Sequence, residues 1–462
     1  MKNWILLLGP VAGLAVGYTL SLNDFSSAIA WTAGITVLVA IWWITEPIPI
    51  PATSLIPLAL FPMVGVLDAK QVAEAYGSKL VLLMLGGFML SAAMERSGAH
   101  KRIALGMVNL FGGSSARRLV FGFMAASAFL SMWISNAATT LMLLPIAMAI
   151  VSQSKDSSLH VALLLGIAYA ASVGGIGTPI GTPPNVVFMN EYESFLGEDI
   201  GFIQWMGWAL PISIIMLPIV GFWLTRNLSK IAPIELPEVG NWRTEEFRTL
   251  IIFAITAFFW VTRKQPFGGW SELAEQAGFP MAYANDASIA LLGALALFLM
   301  PNGKGEKLLD WKTAENIPWG VLILFAGGLT MASAFKTSGL SQELGNVLAG
   351  LGQLPTILLI ASICLAVTFL TEVTSNTATT TLLLPILLAA AIASEIDPKI
   401  FMIPATISAS FAFMLPVATP PNAIVFGSEC FSVRVMAREG IALNLIGVVV
   451  VTIVCYLMFG IG

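Results

Sequence analysis

Two Ser-Asn pairs interrupt strongly apolar surroundings. Trp133 to Ile146 reads WISNAATTLMLLPI and Val373 to Ile386 reads VTSNTATTTLLLPI, aligned at an offset of 240 residues, with Ala137 in the first copy where Thr377 stands in the second. Two further segments, TPIGTPPNVVF from Thr178 and LPVATPPNAIV from Leu415, repeat at an offset of 237. Ser and Asn are good helix N-caps, so each Ser-Asn pair predicts that one helix stops and another starts at Ala137 or Ala138 and at the matching place in the second copy. In each TPPN segment Thr182 or Thr419 is placed to cap, and Pro183 or Pro420 takes the first helical position, where a missing N–H costs nothing. The glycines of GGIGTPIG permit an unwound stretch just before. Four helix N-termini follow, each carrying roughly half a positive charge from its aligned peptide dipoles. The apolar runs hold almost no Lys or Arg, so an anion there has to be held by N–H groups, hydroxyls and amides. Unwound carbonyls and helix C-termini offer the opposite polarity, suited to a small hard cation such as Na⁺.

The elements around these segments follow from composition. Of 462 residues 57% are hydrophobic and only 10% charged, far from the roughly 25% charged of soluble domains. Apolar runs near the ~20 residues that cross a bilayer as a helix recur from end to end. Strand-like alternation is missing, so the chain reads as an all-α polytopic membrane protein. A net charge of −4 with no Lys/Arg run argues against nucleic acid. Cys364, Cys430 and Cys455 stand singly, as packing residues rather than disulfide or metal ligands, and His100 and His160 lack partner spacing. The first 20 residues resemble a signal peptide but lead straight into another span, so they read as an uncleaved first helix.

The positive-inside rule arbitrates the topology. If 119–151 and 355–394 are re-entrant hairpins, the remaining spans are 4–20, 26–44, 51–67, 78–97, 160–190, 203–225, 248–262, 283–301, 317–337, 399–427 and 440–461, about eleven crossings. An amphipathic piece at 99–113 precedes the first hairpin. With the N-terminus cytoplasmic and the C-terminus outside, 16 of the 22 Lys and Arg fall on the cytoplasmic side. Lys70, Lys79, Arg263, Lys264, Lys336 and Lys399 fall outside, with an acidic loop of Glu191, Glu193, Glu198 and Asp199. Internal repeats agree. AIWWITEP (40–47) matches AFFWVTRK (257–264), and GGFMLSAAMERSG (86–98) matches GGLTMASAFKTSG (327–339). The chain divides into an extra helix over 1–25, a first repeat over 26–225 with its broken helix at 160–190, a cytoplasmic linker over 226–247, and a second repeat over 248–462 with its broken helix at 399–427. Each repeat has five crossings, an odd number, so the copies face opposite ways, the inverted architecture of many secondary transporters.

Single Ser, Thr and Asn residues in spans commonly just bond a neighbouring helix. Fourfold repetition with inverted orientation points instead to a ligand site. Glu372, three residues before Ser375, is an intramembrane acid and so a functional candidate, but its counterpart is Met132, which leaves a structural cap or hinge role equally open. Glu46 sits at a cytoplasmic span end and reads as solvated. A channel would need a continuous polar stripe along several spans. An intramembrane hydrolase would need a Ser/His, paired-Asp or HExxH constellation, and none occurs, so the chain does not read as an enzyme.

SNT at 375–377, SNA at 135–137, the paired TPPN segments and the two GG-containing spans resemble the divalent anion:sodium symporter family over nearly the whole chain. The resemblance implies a homodimer in a bacterial-type inner membrane, with an elevator-like transport part carrying C4 dicarboxylates such as succinate, malate and fumarate together with Na⁺. Carried over residue by residue, Asn136, Ala137, Thr182, Pro183, Asn376, Thr377, Thr419 and Pro420 contact the anion. At least two Na⁺ sites are expected. One comprises Ser131, Ser135, Asn136 and the Gly181 carbonyl; the other comprises Thr371, Ser375, Asn376 and the Ala418 carbonyl. Ala137 departs from the family's Thr and removes a substrate-facing hydroxyl, which Thr139 or a water would have to replace. Another divalent or trivalent anion, sulfate or citrate, or Na⁺-independent exchange of dicarboxylates, remains the alternative.

Overall fold

The computed structural model describes residues 3–111, 115–154, 156–228, 240–264, 268–281, 283–348, 350 and 353–460. Lys2, Lys155 and Lys230, counted above as cytoplasmic, and half of the 226–247 linker, residues 229–239, lie outside the described residues. The described residues form helices and no strand beyond one isolated bridge between Pro301 and Lys307. Among the described residues, eight helices are long and apolar enough to cross a bilayer.

After the first helix, Asn3–Leu22, the two repeats run through the same order of elements. In the first these are Ser27–Thr45, the short pair Ile50–Thr53 and Leu55–Met63, Lys79–Ser97, Ala99–Phe111, the pair Ala116–Ser131 and Asn136–Val151, the broken helix Ser157–Gly175 and Pro183–Leu196, and Phe202–Leu224. In the second they are Thr244–Val261, Asp286–Leu299, Trp319–Ser338, Leu340–Leu348, the pair Thr356–Thr371 and Asn376–Ala393, the broken helix Pro398–Ser408 and Pro420–Phe426, and Val433–Phe459. Two expected spans are shorter than anticipated. The 51–67 run, with prolines at 51, 57 and 62, breaks at Ser54 into two helices. The 283–301 run yields only 14 helical residues, about 21 Å by the α-helical rise, against a hydrocarbon core of about 30 Å.

Small residues set the closest crossings. On the first helix, a Cβ added to Gly13 would stand 2.5 Å from the Gly34 carbonyl, and one on Gly34 would stand 2.7 Å from the Gly13 carbonyl. The Gly9, Gly13 and Gly17 spacing is therefore a docking stripe for this extra helix. The two GG motifs do the same between repeats. A Cβ on Gly86 would stand 2.6 Å from that of Ala290, and one on Gly327 would run into the Ser54 carbonyl. Each GG helix thus crosses the short second element of the other repeat, which interlocks the two copies.

The core centres on Ser157–Gly175, a helix buried on nearly every side, as an all-round apolar pattern requires. Neighbouring side chains donate to its otherwise helical carbonyls: Ser127 Oγ to Ile167 at 2.7 Å and Ser213 Oγ to Val173 at 2.7 Å. Tyr169 Oη donates to the Phe413 carbonyl at 2.6 Å. That bond ties the broken helix of the first repeat to the unwound stretch of the second.

Candidate functional site

Both Ser-Asn stretches open a new helix as their types demand. After Ser131 the chain turns, with the Trp133 and Ile134 amides each donating to the Leu130 carbonyl at 2.9 Å, and the next helix begins at Asn136. Ser135 Oγ accepts from the Ala138 amide at 3.2 Å. In the second copy helix Asn376–Ala393 begins at the equivalent residue, but Ser375 occupies the cap position without a side-chain bond. Behind each tip an Asn is held from the preceding helix: Ser131 Oγ donates to Asn136 Oδ1. Thr371 Oγ1 lies 2.7 Å from Asn376 Oδ1 and 2.9 Å from the Ala409 carbonyl. Its single proton cannot serve both acceptors, so three oxygens meet with one hydrogen among them.

At the first tip the crowding of oxygens is similar. A Cβ on Gly175 would stand 2.6 Å from Asn136 Oδ1 and 3.2 Å from the Gly181 carbonyl, and one on Gly181 would stand 3.0 Å from the Ser131 carbonyl. Hydroxyl, amide and carbonyl oxygens are the hard, neutral donors that an alkali cation accepts. The second half of each broken helix starts at Pro183 or Pro420. Thr419 Oγ1 caps its helix by accepting from Asn422 N at 3.2 Å, whereas Thr182 makes no cap bond, contrary to expectation.

These four helix starts converge on one cavity of about 830 Å³, within the usual range for small-molecule sites. It is lined by Asn136, Ala137, Thr182, Pro183, Asn376, Thr377, Thr419 and Pro420, the full set named for the anion, and by Ser135, Gly181, Ser375 and Ala418. Ser131 and Thr371 are fully buried behind the tips and reach the cavity only through their Asn partners. Among the described lining residues there is no Lys or Arg, and Glu46 is the charged one. Glu46 is exposed, as its span-end position suggested, but it also stands on the cavity wall, with a left-handed backbone (φ 45°). Ser91, Trp133, Thr374 and Pro318 line the cavity too. Sequence reasoning missed them because Pro318 lies in no repeated stretch and the other three, though inside repeats, change type between copies: Ser91 matches Ala332, Trp133 matches Val373 and Thr374 matches Ile134.

Three further residues change status. Thr139, the candidate to replace the hydroxyl missing at Ala137, is fully buried, its Oγ1 has no partner, and it does not line the cavity. Its counterpart Thr379 pairs with Thr374 at 2.5 Å, and Ile134 stands where Thr374 would be. Glu372 is a strut. Its carboxylate accepts from Met414 N at 2.9 Å, Leu415 N at 3.0 Å and Asn444 Nδ2 at 2.6 Å, binding the second tip to the unwound stretch and the last helix. Glu191, placed above in an acidic loop, lies instead on helix Pro183–Leu196 and is 1% exposed, because that helix runs on five residues past it. Glu193 lies on the same helix and pairs with Lys79; Glu198 accepts from Tyr192 Oη at 3.1 Å. Asp199 meets Lys79 at 3.0 Å, Arg263 at 3.1 Å and Lys264 at 2.7 Å. Burial pushes the Asp199 carboxyl up, but Lys264, Arg263 and Lys79 together outweigh that and hold it well below the usual carboxylate range.

Comparison with known proteins gives the arrangement its relatives. Residues 1–461 match the family model described as the sodium:sulfate symporter transmembrane region. The chain is 38% identical to the sodium-dependent dicarboxylate transporter SdcS of Staphylococcus saprophyticus, an alignment covering 98% of this chain and 90% of that protein. It is likewise 38% identical, with the same coverage, to SdcS of Staphylococcus aureus. Among solved structures, the YdaH transporter of Alcanivorax borkumensis shares the fold with a TM-score of 0.61 over 87% of this chain and 88% of that one, at 14% identity. These relatives are transporters rather than enzymes, and the chain belongs to the sodium:sulfate, or divalent anion:sodium, symporter family.

Proposed function

We propose that the protein is a Na⁺-coupled symporter of C4 dicarboxylates, succinate, malate and fumarate, in a bacterial-type inner membrane. The observation that carries this reading is the convergence of two Ser-Asn tips and two broken-helix N-termini on one cavity whose described lining residues include no Lys or Arg. An anion bound there draws its stabilisation from helix N-termini, hydroxyls and amides. Asn136 and Ala137 on one tip, Asn376 and Thr377 on the other, and Thr182, Pro183, Thr419 and Pro420 at the broken helices contact the substrate. One Na⁺ is held by Ser131, Ser135, Asn136 and the Gly181 carbonyl, and a second by Thr371, Ser375, Asn376 and the Ala418 carbonyl. A divalent anion with two Na⁺ makes the loaded site formally neutral, which lowers the cost of moving it through the membrane. The empty or half-loaded site keeps uncompensated polarity and moves poorly, and this difference is the coupling.

In this reading the two helix pairs are re-entrant hairpins, the chain makes eleven crossings with its N-terminus cytoplasmic, and the parts carrying the tips move as an elevator against a scaffold that forms a homodimer. Glu46 and Pro318, at span ends assigned to the cytoplasm, line the cavity wall, which supports a cavity open to the cytoplasmic side. The missing hydroxyl at Ala137 favours a second substrate reading, sulfate or citrate. Uptake of labelled succinate into proteoliposomes under Na⁺, K⁺ or proton gradients, with sulfate and citrate as competitors, tests both. Uptake is expected only with Na⁺; uptake indifferent to Na⁺ refutes symport, and stronger competition by sulfate or citrate than by unlabelled succinate reassigns the substrate.

A further inference from the structure

Asn185 and Asn422 close the two TPPN segments and are fully buried. Neither lines the cavity. Asn185 Nδ2 donates toward the carbonyls of Gly175 at 3.2 Å, Ile176 at 3.3 Å and Thr178 at 2.7 Å. Asn422 Nδ2 donates to the carbonyls of Ala412 at 3.0 Å and Leu415 at 3.0 Å. The offset of 237 that carries Asn185 onto Asn422 also carries Gly175 onto Ala412 and Thr178 onto Leu415. One amide bracket is therefore built twice, once per repeat, across the start of each unwound stretch. The carbonyls on the donor side fix the orientation of each amide, and both Oδ1 atoms are buried without a hydrogen-bond partner. Such an orphan acceptor costs stability, and both copies bear that cost.

The bracket acts where the cation oxygens sit. Gly175 packs against Asn136 Oδ1 and the Gly181 carbonyl, so the amide that grips the Gly175 carbonyl also fixes one wall of the first oxygen cluster. In the second copy the bracket grips Ala412 and Leu415, within the stretch that runs from Ala409, whose carbonyl meets Thr371, to Ala418. We infer that Asn185 and Asn422 are positioning residues for the two Na⁺ sites, each setting the spacing of its own unwound carbonyls against its own tip. The inference rests on the two-site reading given above.

Replacing Asn by Asp keeps the volume and, at alkaline pH where the carboxyl is ionised, removes the donor, leaving an acceptor opposite two or three carbonyls. The Na⁺ half-saturation of succinate uptake in Asn185→Asp and Asn422→Asp is expected to rise about ten- to hundredfold, the usual cost of losing an outer-shell partner of a metal site. The half-saturation for succinate at saturating Na⁺ should stay near wild type. Acidification adds a signature that a merely structural role lacks. A buried Asp among carbonyls takes up a proton readily and then donates again, so lowering the pH should bring the variants' Na⁺ half-saturation back toward wild type while wild type does not move. An unchanged or lower Na⁺ half-saturation in both variants at alkaline pH overturns the inference. Where an Asp variant does not fold, Asn→Gln at the same position displaces the donor by one methylene and must also raise the Na⁺ half-saturation, read as Na⁺-dependent thermal stabilisation of purified protein. A wild type that does not respond to Na⁺ refutes the two-site reading itself, a result distinct from variants that respond as wild type does.

Discussion

Ala137→Thr restores to the first tip the hydroxyl that the second carries at Thr377. Ala137 is the second residue of helix Asn136–Val151, half-buried and on the cavity wall, so the added groups enter open space rather than packed core. The helix penalty of Thr for Ala is at most about 0.7 kcal/mol, too small to threaten folding. A hydroxyl donating to a carboxylate contributes about 1.5–3 kcal/mol, and Thr139 does not substitute for it, being buried away from the cavity. The succinate half-saturation should therefore fall about ten- to hundredfold, while the Na⁺ dependence keeps its form because Ser131, Ser135 and Asn136 are untouched. Thr377→Ala is the mirror experiment and should weaken succinate binding by a similar factor. Proteoliposome uptake at saturating Na⁺ measures both. If Ala137→Thr leaves the succinate half-saturation and the ranking of succinate, sulfate and citrate unchanged while Thr377→Ala impairs uptake, position 137 does not contact substrate and the argument from pseudo-symmetry fails there.

Two further outcomes follow from packing and charge. Asp199→Asn removes the carboxylate shared by Lys79, Arg263 and Lys264, and thermal unfolding in detergent should show a loss of about 1–3 kcal/mol. Because the folded Asp199 carboxyl is held below its unfolded value of about 3.9, its contribution is complete above that value and fades only as pH falls toward the folded one. The loss should therefore be equal at neutral and mildly acidic pH, and a loss that shrinks between about pH 8 and pH 6 contradicts the pairing. Gly327→Leu forces a side chain into the Ser54 carbonyl and should abolish monodisperse protein on size exclusion. Gly207→Leu, also at a glycine but with open space around its Cβ position and an ordinary helical backbone, should not; equal yields of the two variants would show that the GG crossing is looser than described.

The internal repeats were legible from the residues alone, because the two copies keep the same breaks: Ser135 and Ser375, Pro183 and Pro420, Gly86 and Gly327. Each of these acts through local backbone chemistry, at a cap, a first helical turn or a close crossing, and such chemistry is written at one position. The lengths of the short second elements were less legible, since an apolar run does not say where prolines will break it.

What the sequence by itself determined is the class of the protein, the four helix starts and the residues that open them, because composition, N-cap preference and proline geometry act within a few residues of chain. Only the tertiary structure decided the rest: that the four starts share one cavity, that Thr139 faces away from it, that Glu191 is buried, and that Glu372, Asn185 and Asn422 hold the unwound stretches. Those depend on contacts between residues up to hundreds of positions apart, such as Tyr169 with Phe413, and a buried amide or carboxylate has no meaning in the sequence until its partners are brought to it.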